Sequence, residues 1–516
     1  MHARTLLRRL GCVGPSVSIA AAVLAAGAAE TAAQLIPIRT VPVSQDHQFR
    51  IFPSHTAAMG GVAIAVRDSL LDPFTNPGEA SRLAVPYVFS SPGAYSVSSE
   101  AGGGRTLPSG GFTRRGPWYA GVLLALQEVD LSERAAGAPT FFSCPDCAGS
   151  DFPPDERSPG NQYLFATLGR EIPSAGLSVG GSVMWSGLDA VDGVDLLYAG
   201  SARIQQRGQA LDLRLGLVKE WADERSLQAL VLHNRFGMTH DVWYLDSFWD
   251  PGAEAMAQRP RLEANHDRTN TWGLHVEYQR PLRQEGWRIG WLGTVNYKSH
   301  PKIPNYEIMN IPRDPGHSMA FDLGVGFART RDTFTFGVDF VYEPIWSYTW
   351  ADAAEPVETR LGTVIPQGGK TIENRFRFSN ALVRMGIGDE VVLDESGTAI
   401  GVQWGLESRL IDYRLEQQDN VQLSERDLEE DWVEWTPTWG IALRRPDWEI
   451  RYRGSVTTGT GRPGVGGPGG CFDICVLDGA AVGAGGSNLL VAPSGPLTLD
   501  PVSVVSHQLT LLVPLR

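Results

Sequence analysis

The chain is poor in cysteine, with 5 among 516 residues, and poor in basic charge, with 44 Lys and Arg against 58 Asp and Glu. The first scarcity excludes a small disulfide-dense scaffold. The second gives a formal net charge of −14 and excludes the basic surface that tracks a phosphate backbone, so no nucleic-acid partner is expected. Past residue 34 there is no run of about 20 apolar residues, so no transmembrane helix is expected. No H-E-x-x-H occurs, the G-x-S-x-G at Gly176–Gly180 leads into an alternating strand pattern and not into a helix, and His233 and His507 stand isolated, so no enzyme, cofactor or metal is expected. Disorder is excluded as well, because 42% of the residues are hydrophobic.

What the chain has begins with an address. Arg4, Arg8 and Arg9 precede an Ala-rich apolar stretch from Val17 to Ala29, closed by small residues with cleavage points after Ala28, Ala29 or Ala33. Residues 1–33 read as a secretory signal peptide, the apolar run being short for a membrane anchor. Cys12 leaves with it, and the mature chain enters an oxidising compartment.

Beyond the signal the dominant pattern has period two. Trp272, Leu274, Val276 and Tyr278 alternate with Gly273, His275 and Glu277. Phe334, Phe336, Val338, Phe340 and Tyr342 alternate with Thr335, Gly337 and Asp339, and Leu211, Leu213, Leu215 and Leu217 with Asp212, Arg214 and Gly216. Such segments are strands with one apolar face. A soluble β-sandwich alternates too, but here Trp118, Trp272, Trp287, Trp439 and Trp448 fall near strand ends, as interfacial girdles require. Short turns at 172–176, 222–225, 281–286, 329–332 and 445–447 also alternate with connections several times longer. The expected fold is therefore all-β, a transmembrane antiparallel barrel in the outer membrane of a Gram-negative-type bacterium.

Fourteen strands can be counted between 117 and 515, and a hairpin within 84–113 would raise the count to sixteen. Residues 117–516 are thus assigned to the barrel. Residues 34–116, rich in Gly, Ser and Pro, are assigned to an N-terminal plug, since a lumen this wide leaks unless filled. The last strand ends Leu509, Leu511, Val513, Leu515, Arg516, without the terminal aromatic residue that the barrel-insertion machinery, an expected partner, usually reads.

Within the plug, Ala57-Ala58-Met59-Gly60-Gly61-Val62-Ala63-Ile64-Ala65-Val66-Arg67-Asp68 is followed by Asn76-Pro77-Gly78. This stretch resembles the N-terminal hatch of the outer-membrane long-chain fatty-acid transporter (FadL-type) superfamily, in which a small-residue run with an acidic residue leads to Asn-Pro-Ala. Gly60, Gly61, Asp68, Asn76 and Pro77 match, and Gly78 replaces the usual Ala. The resemblance implies passive uptake of hydrophobic or amphipathic small molecules, with outer-membrane lipid around the barrel. It also implies a lateral exit through a kinked third strand, which by position makes Gly180 and Gly181 the candidate gate. Glycines relieving crowding against the plug are the alternative at that place. Relatives that serve in secretion or assembly keep a second function open, a scaffold barrel for secretion or surface anchoring.

The inward positions are charged, including Asp212, Arg214, Glu277, Arg288, Asp339, Glu343, Glu407, Arg409, Glu449, Arg451 and Arg453, and opposite signs are expected to pair and brace the wall. Arg214, Arg288 and Arg451 are the candidates for binding a substrate carboxylate. Cys144 and Cys147 fall in the first outer loop and Cys471 and Cys475 in the last, where disulfides within each loop are expected, with a thiolate zinc site the alternative that the spacing allows. Asp241, Asp246 and Asp250 read as a solvated acidic loop.

Overall fold

In the computed structural model, which describes residues 46–99, 102–130, 159–191, 203–252, 255–300, 316–353, 355–463 and 499–515, the alternating segments form sixteen antiparallel strands closed into one barrel. In chain order they are β1 (two segments, Tyr87–Ser90 and Gly93–Val97), β2 (Gly103–Arg115), β3 (Trp118–Asp130), β4 (Gly160–Ile172), β5 (Leu177–Leu188), β6 (Arg203–Glu220), β7 (Ser226–Asp250) and β8 (Ala255–Pro281). The second half comprises β9 (Trp287–His300), β10 (Gly316–Arg331), β11 (Phe334–Asp352), β12 (Lys370–Val392), β13 (Ala399–Asp419), β14 (Ser424–Arg444), β15 (Glu449–Pro463) and β16 (Leu499–Pro514). A small ribbon, Val357–Glu358 with Val364–Ile365, stands apart from the barrel sheet. Residues 1–33 and the four loop cysteines lie outside the described residues.

Sixteen strands replace the fourteen counted from alternation, and the added pair is the β1–β2 hairpin over 87–115. The barrel therefore starts at Tyr87 and not at residue 117, and the described plug covers 46–86. The hairpin is hard to read because Gly103, Gly104, Gly110 and Gly111 carry no side chain to alternate. Close packing demands those glycines: a Cβ on Gly111 would stand 2.6 Å from the Tyr87 carbonyl oxygen, and one on Gly103 2.8 Å from that of Tyr95. Pro92 interrupts β1, having no N–H to give. The ladder passes it, since Leu509 N–H donates to the Pro92 carbonyl at 2.9 Å and Ser91 N–H to that of Pro108 at 2.8 Å. β1 pairs with β2 on one side and β16 on the other, with Tyr87 opposite both Phe112 and Pro514. Closure leaves no strand edge, as lipid requires, because an unpaired peptide group in hydrocarbon costs several kcal/mol.

The outward face is apolar. Leu124, Leu164, Leu215, Leu323, Phe340, Trp346, Ile441 and Leu509 are all exposed. Burying such faces in protein would need a second layer; in lipid they need none. Aromatic residues mark the limits of this band, with Trp118 and Phe334 beside the short turns and Trp272, Tyr297 and Trp346 toward the other end. No helix among the described residues is long and apolar enough to cross a membrane. Crossing takes about 9–11 residues of tilted strand, so β7 and β8, with 25 and 27 residues paired from Ser226↔Gln279 to Asp250↔Ala255, continue well past the band. Asp241, Asp246 and Asp250 lie on strand β7 and not in a loop.

Inside, the plug is built of short helical turns, Asp46–Phe49, Ala57–Met59, Asp72–Thr75 and Pro77–Arg82. Phe74, fully buried, is its main anchor: its ring lies 4.5 Å from Phe52, 5.0 Å from Phe112 of β2, 5.1 Å from Phe165 of β4 and 5.9 Å from Phe89 of β1. Each such aromatic pair adds about 0.5–1.5 kcal/mol beyond burial. The cluster extends along the inner faces of β1–β7 to Tyr119, Leu123, Tyr163, Phe236, Met238 and Val242. The lumen thus holds the main hydrophobic core.

Candidate functional site between the plug and the wall

The hatch residues form one connected structure. Asp68, nearly fully buried, accepts hydrogen bonds from the Ser54 hydroxyl (2.5 Å), the backbone N–H of His55 (2.7 Å) and Thr56 (2.9 Å), and the N–H of Leu70 (3.1 Å) and Leu71 (3.0 Å). One carboxylate thereby fastens two separate segments of the plug. Burial acts first to raise the Asp68 pKa, but the His55 ring, the Ser54 hydroxyl and the amides outweigh it and hold it below the ordinary value. Asp72 behaves oppositely. Burial, then the neighbouring Glu79 and Asp68, push its carboxyl well above the ordinary range. Glu79 is also raised by burial, against the pull of Arg82, with which it forms an ion pair.

Gly60 and Gly61 both have φ of +72°, a left-handed conformation that strongly favours glycine. Gly60 also sits against the wall, where a Cβ would stand 2.7 Å from the Met385 carbonyl oxygen and 2.8 Å from that of Leu406. Thr438 of β14 ties this turn down, accepting from Gly60 N–H at 2.9 Å and donating to the Ala58 carbonyl at 2.8 Å. Asp339 of β11 accepts from Ala63 N–H (2.7 Å) and Ile64 N–H (3.2 Å). Asn76 caps the turn at 77–82 by accepting from Gly78 N–H at 3.0 Å, and donates to Gln228 of β7 at 3.1 Å.

The wall receives the plug on glycines. Ile64 lies over Gly290, Gly324 and Gly326, and Met59 and Gly60 over Gly386 and Gly405. Asn76 and Pro77 lie over Gly216 and Gly180, where a Cβ on Gly180 would stand 2.6 Å from the Pro77 carbonyl oxygen. Alternation alone could not single these glycines out; their inward phase on successive strands was the available signal. Gly180 and Gly181 fall on the fifth strand of the barrel, not the third. Both neighbouring ladders run through them without a shift in register.

Inward charges of opposite sign pair: Arg409–Glu343 at 2.7 Å, Arg214–Asp212 at 2.6 Å and Arg451–Glu449 at 2.7 Å, while Glu407 is taken at 3.2 Å by Arg384, a position not among the inward charges read from the sequence. The three candidate carboxylate binders are not brought together. Arg214 is held by Asp212 and donates to the Thr75 carbonyl at 3.1 Å. Arg288 stands at the short-turn end beside Glu224, donating to its carbonyl at 3.0 Å, and Arg451 is held by Glu449. Between plug and wall lies a cavity of about 230 Å³. Phe52, Ile64, Leu230, Leu232 and Leu292 supply apolar walls, and Arg214, Asn234, His275 and Glu277 polar ones; of the three arginines only Arg214 reaches it.

A plugged sixteen-stranded barrel with a lipid-facing outer surface and a mixed internal cavity is the class of molecule that fold and site define. No protein-family model matches the sequence, and no curated protein matches it. Among solved structures the chain is similar to the toluene transporter TodX of Pseudomonas putida, with 9% identity over 89% of this chain and 96% of that one and a TM-score of 0.37. It is also similar to a Pseudomonas aeruginosa FadL homologue (10% identity, 90% and 99% covered, TM-score 0.39) and to the FrpB iron transporter of Neisseria meningitidis (9%, 85% and 83%, TM-score 0.32). Likenesses at these identities and TM-scores assign no function to this chain.

Proposed function

We propose that the protein is an outer-membrane barrel for passive uptake of small hydrophobic molecules, with the plug as its barrier. The observation that carries this is the half-apolar lumen. A continuous inward cluster descends β1–β7 from Val242 and Met238 to Tyr119, whose hydroxyl donates to the Val179 carbonyl beside Gly180. A second inward cluster, Phe376, Phe378, Ile411, Tyr413 and Leu415, lines β12 and β13 toward the other end. A pure scaffold needs neither.

The pairing of Arg214, Arg288 and Arg451 with protein carboxylates favours an uncharged hydrophobic substrate over a fatty carboxylate, because a bound acid would first have to displace Asp212, Glu224 or Glu449. The proposed exit is at Gly180 and Gly181, sealed in the structure by the Pro77 carbonyl, so passage there requires Asn76-Pro77 to lift from Gly180 and Gly216. The second reading, a scaffold for secretion or surface anchoring, draws on the ion-paired wall of β11–β15 and on the long β7–β8 hairpin.

The test is uptake into liposomes of radiolabelled toluene and of a long-chain fatty acid. The hydrocarbon is expected to enter faster, and deletion of 74–80 to change the rate. Absence of uptake by the intact protein, or an unchanged rate on deletion, overturns transport in favour of the scaffold.

A further inference from the structure

On β6, β7 and β8 the lipid-facing columns end together. Outward residues run Leu215, Leu213, Leu211 on β6; Val231, His233 on β7; and Leu274, Trp272 on β8, where His233 stacks on Trp272 at 4.2 Å. The next outward positions change character. Arg235 lies between Leu211 and Asn270, Gly237 between Gln209 and Arg268, and Thr239 between Arg207 and His266. Arg235 and Arg268 are diagonal neighbours, about 7–8 Å apart at the backbone. Arg207 faces them across Gly237, which carries no side chain. All three arginines are exposed, and no ion pair or hydrogen bond among the described residues takes any of them. The acids that border the patch, Asp189 and Asp241, form no described ion pair with it.

Two outward arginines on the opposite wall differ. Arg414 pairs with Asp427 at 2.6 Å and Arg377 with Glu416 at 3.6 Å. Three uncompensated guanidinium groups just beyond an aromatic belt repel one another unless an anion lies among them. Guanidinium matches phosphate in a bidentate fork, and headgroup phosphates occupy this depth of a bilayer. The bare strip at Gly237 leaves room for a flat sugar, and the leucine column and Trp272 receive acyl chains.

We propose that Arg207, Arg235 and Arg268 form a docking site for the phosphorylated sugar head of an outer-leaflet glycolipid, lipopolysaccharide. The inference rests on the outer-membrane placement proposed above, though not on what crosses the lumen.

The test is binding of purified bisphosphorylated lipid A to the detergent-solubilised full chain, compared with monophosphorylated and dephosphorylated lipid A. The Arg207→Gln, Arg235→Gln, Arg268→Gln triple variant is expected to bind about tenfold more weakly or worse, with affinity falling as phosphates are removed. A control triple at Arg375, Arg377 and Arg414 is expected to stay within about twofold. Far-ultraviolet circular dichroism checks that the barrel is intact, and Arg235→Gln alone, expected to weaken binding about threefold, serves if the triple variant does not fold. Equal binding by the variants, equal loss in the control, or full displacement by equimolar inorganic phosphate overturns the site. Density-gradient fractionation tests the placement separately: recovery away from the outer membrane overturns both.

Discussion

The two halves of the lumen hold the plug by different physics. Along β1–β7 the contact is aromatic and aliphatic, centred on Phe74. Along β11–β15 it is polar and directional, with Asp339 and Thr438 gripping plug backbone and Arg409–Glu343 and Arg384–Glu407 bracing the wall behind. The first kind is strong but tolerant of small displacements, since dispersion and burial have little direction. The second fixes register, since hydrogen bonds weaken steeply with angle. Under the proposed uptake, the plug must stay in place and yet shift, and the two kinds of contact serve those two demands.

The largest effects should come from emptying either half. Phe74→Ala should destabilise the protein by about 3–5 kcal/mol, read as a lowered urea midpoint in detergent, and should expose the plug to protease. Arg409→Ala should cost a similar ~3–5 kcal/mol by leaving Glu343 buried alone, whereas Arg409→Leu combined with Glu343→Leu should recover nearly all of it. If the double variant is as damaged as the single one, the polar half does more than neutralise its own charges, and the comparison fails.

A smaller effect separates the two plug carboxyls. Asp68 has a folded pKa below its unfolded value of about 3.9, so its contribution is present above that pH and lost as pH falls. Asp72 has a folded pKa above its unfolded value, so its contribution is full in acid and declines as pH rises through the carboxylate range. Asp68→Asn should therefore cost about 1.5–3 kcal/mol at neutral pH. Asp72→Asn should be neutral or stabilising there. Unfolding midpoints followed from pH 3 to 8 check both, and a loss at Asp72→Asn equal to that at Asp68→Asn contradicts the assignment. Smallest of all, Arg414→Ala removes an exposed pair with Asp427 and should change stability by less than about 1 kcal/mol.

Much of the barrel was legible because lipid and lumen alternate at the residue level: Leu211–Leu217 and Phe334–Tyr342 announce their faces directly. The β1–β2 hairpin was not, because glycines that admit close neighbours also erase the pattern. The extents of β7 and β8 were hidden for another reason. Past the membrane the outward face of β7 turns polar while the inner face stays buried at His240 and Val242, so Thr239 and Asp241 no longer supply the apolar half of the alternation. In the site, Asp68, Asn76 and the Gly60-Gly61 pair stood out through local chemistry, whereas Thr438 and Gly216 matter only through a partner more than a hundred residues away. The arginines were nominated for their charge, and their nearest neighbours had already taken it.

The seam of the barrel has a consequence for how the molecule is made. β1 is at once the continuation of the plug and the strand that joins β16, so the ends of the ring meet where the plug enters it. Bringing these ends together closes the longest loop in the chain, which makes it an unfavourable early event. The plug leads straight into that last-closing strand, and its turns are seated on β5, β9, β11 and β12. An order of assembly follows in which the open sheet curls around its own leader and the ring shuts afterwards, with no completed pore at any stage for the leader to find.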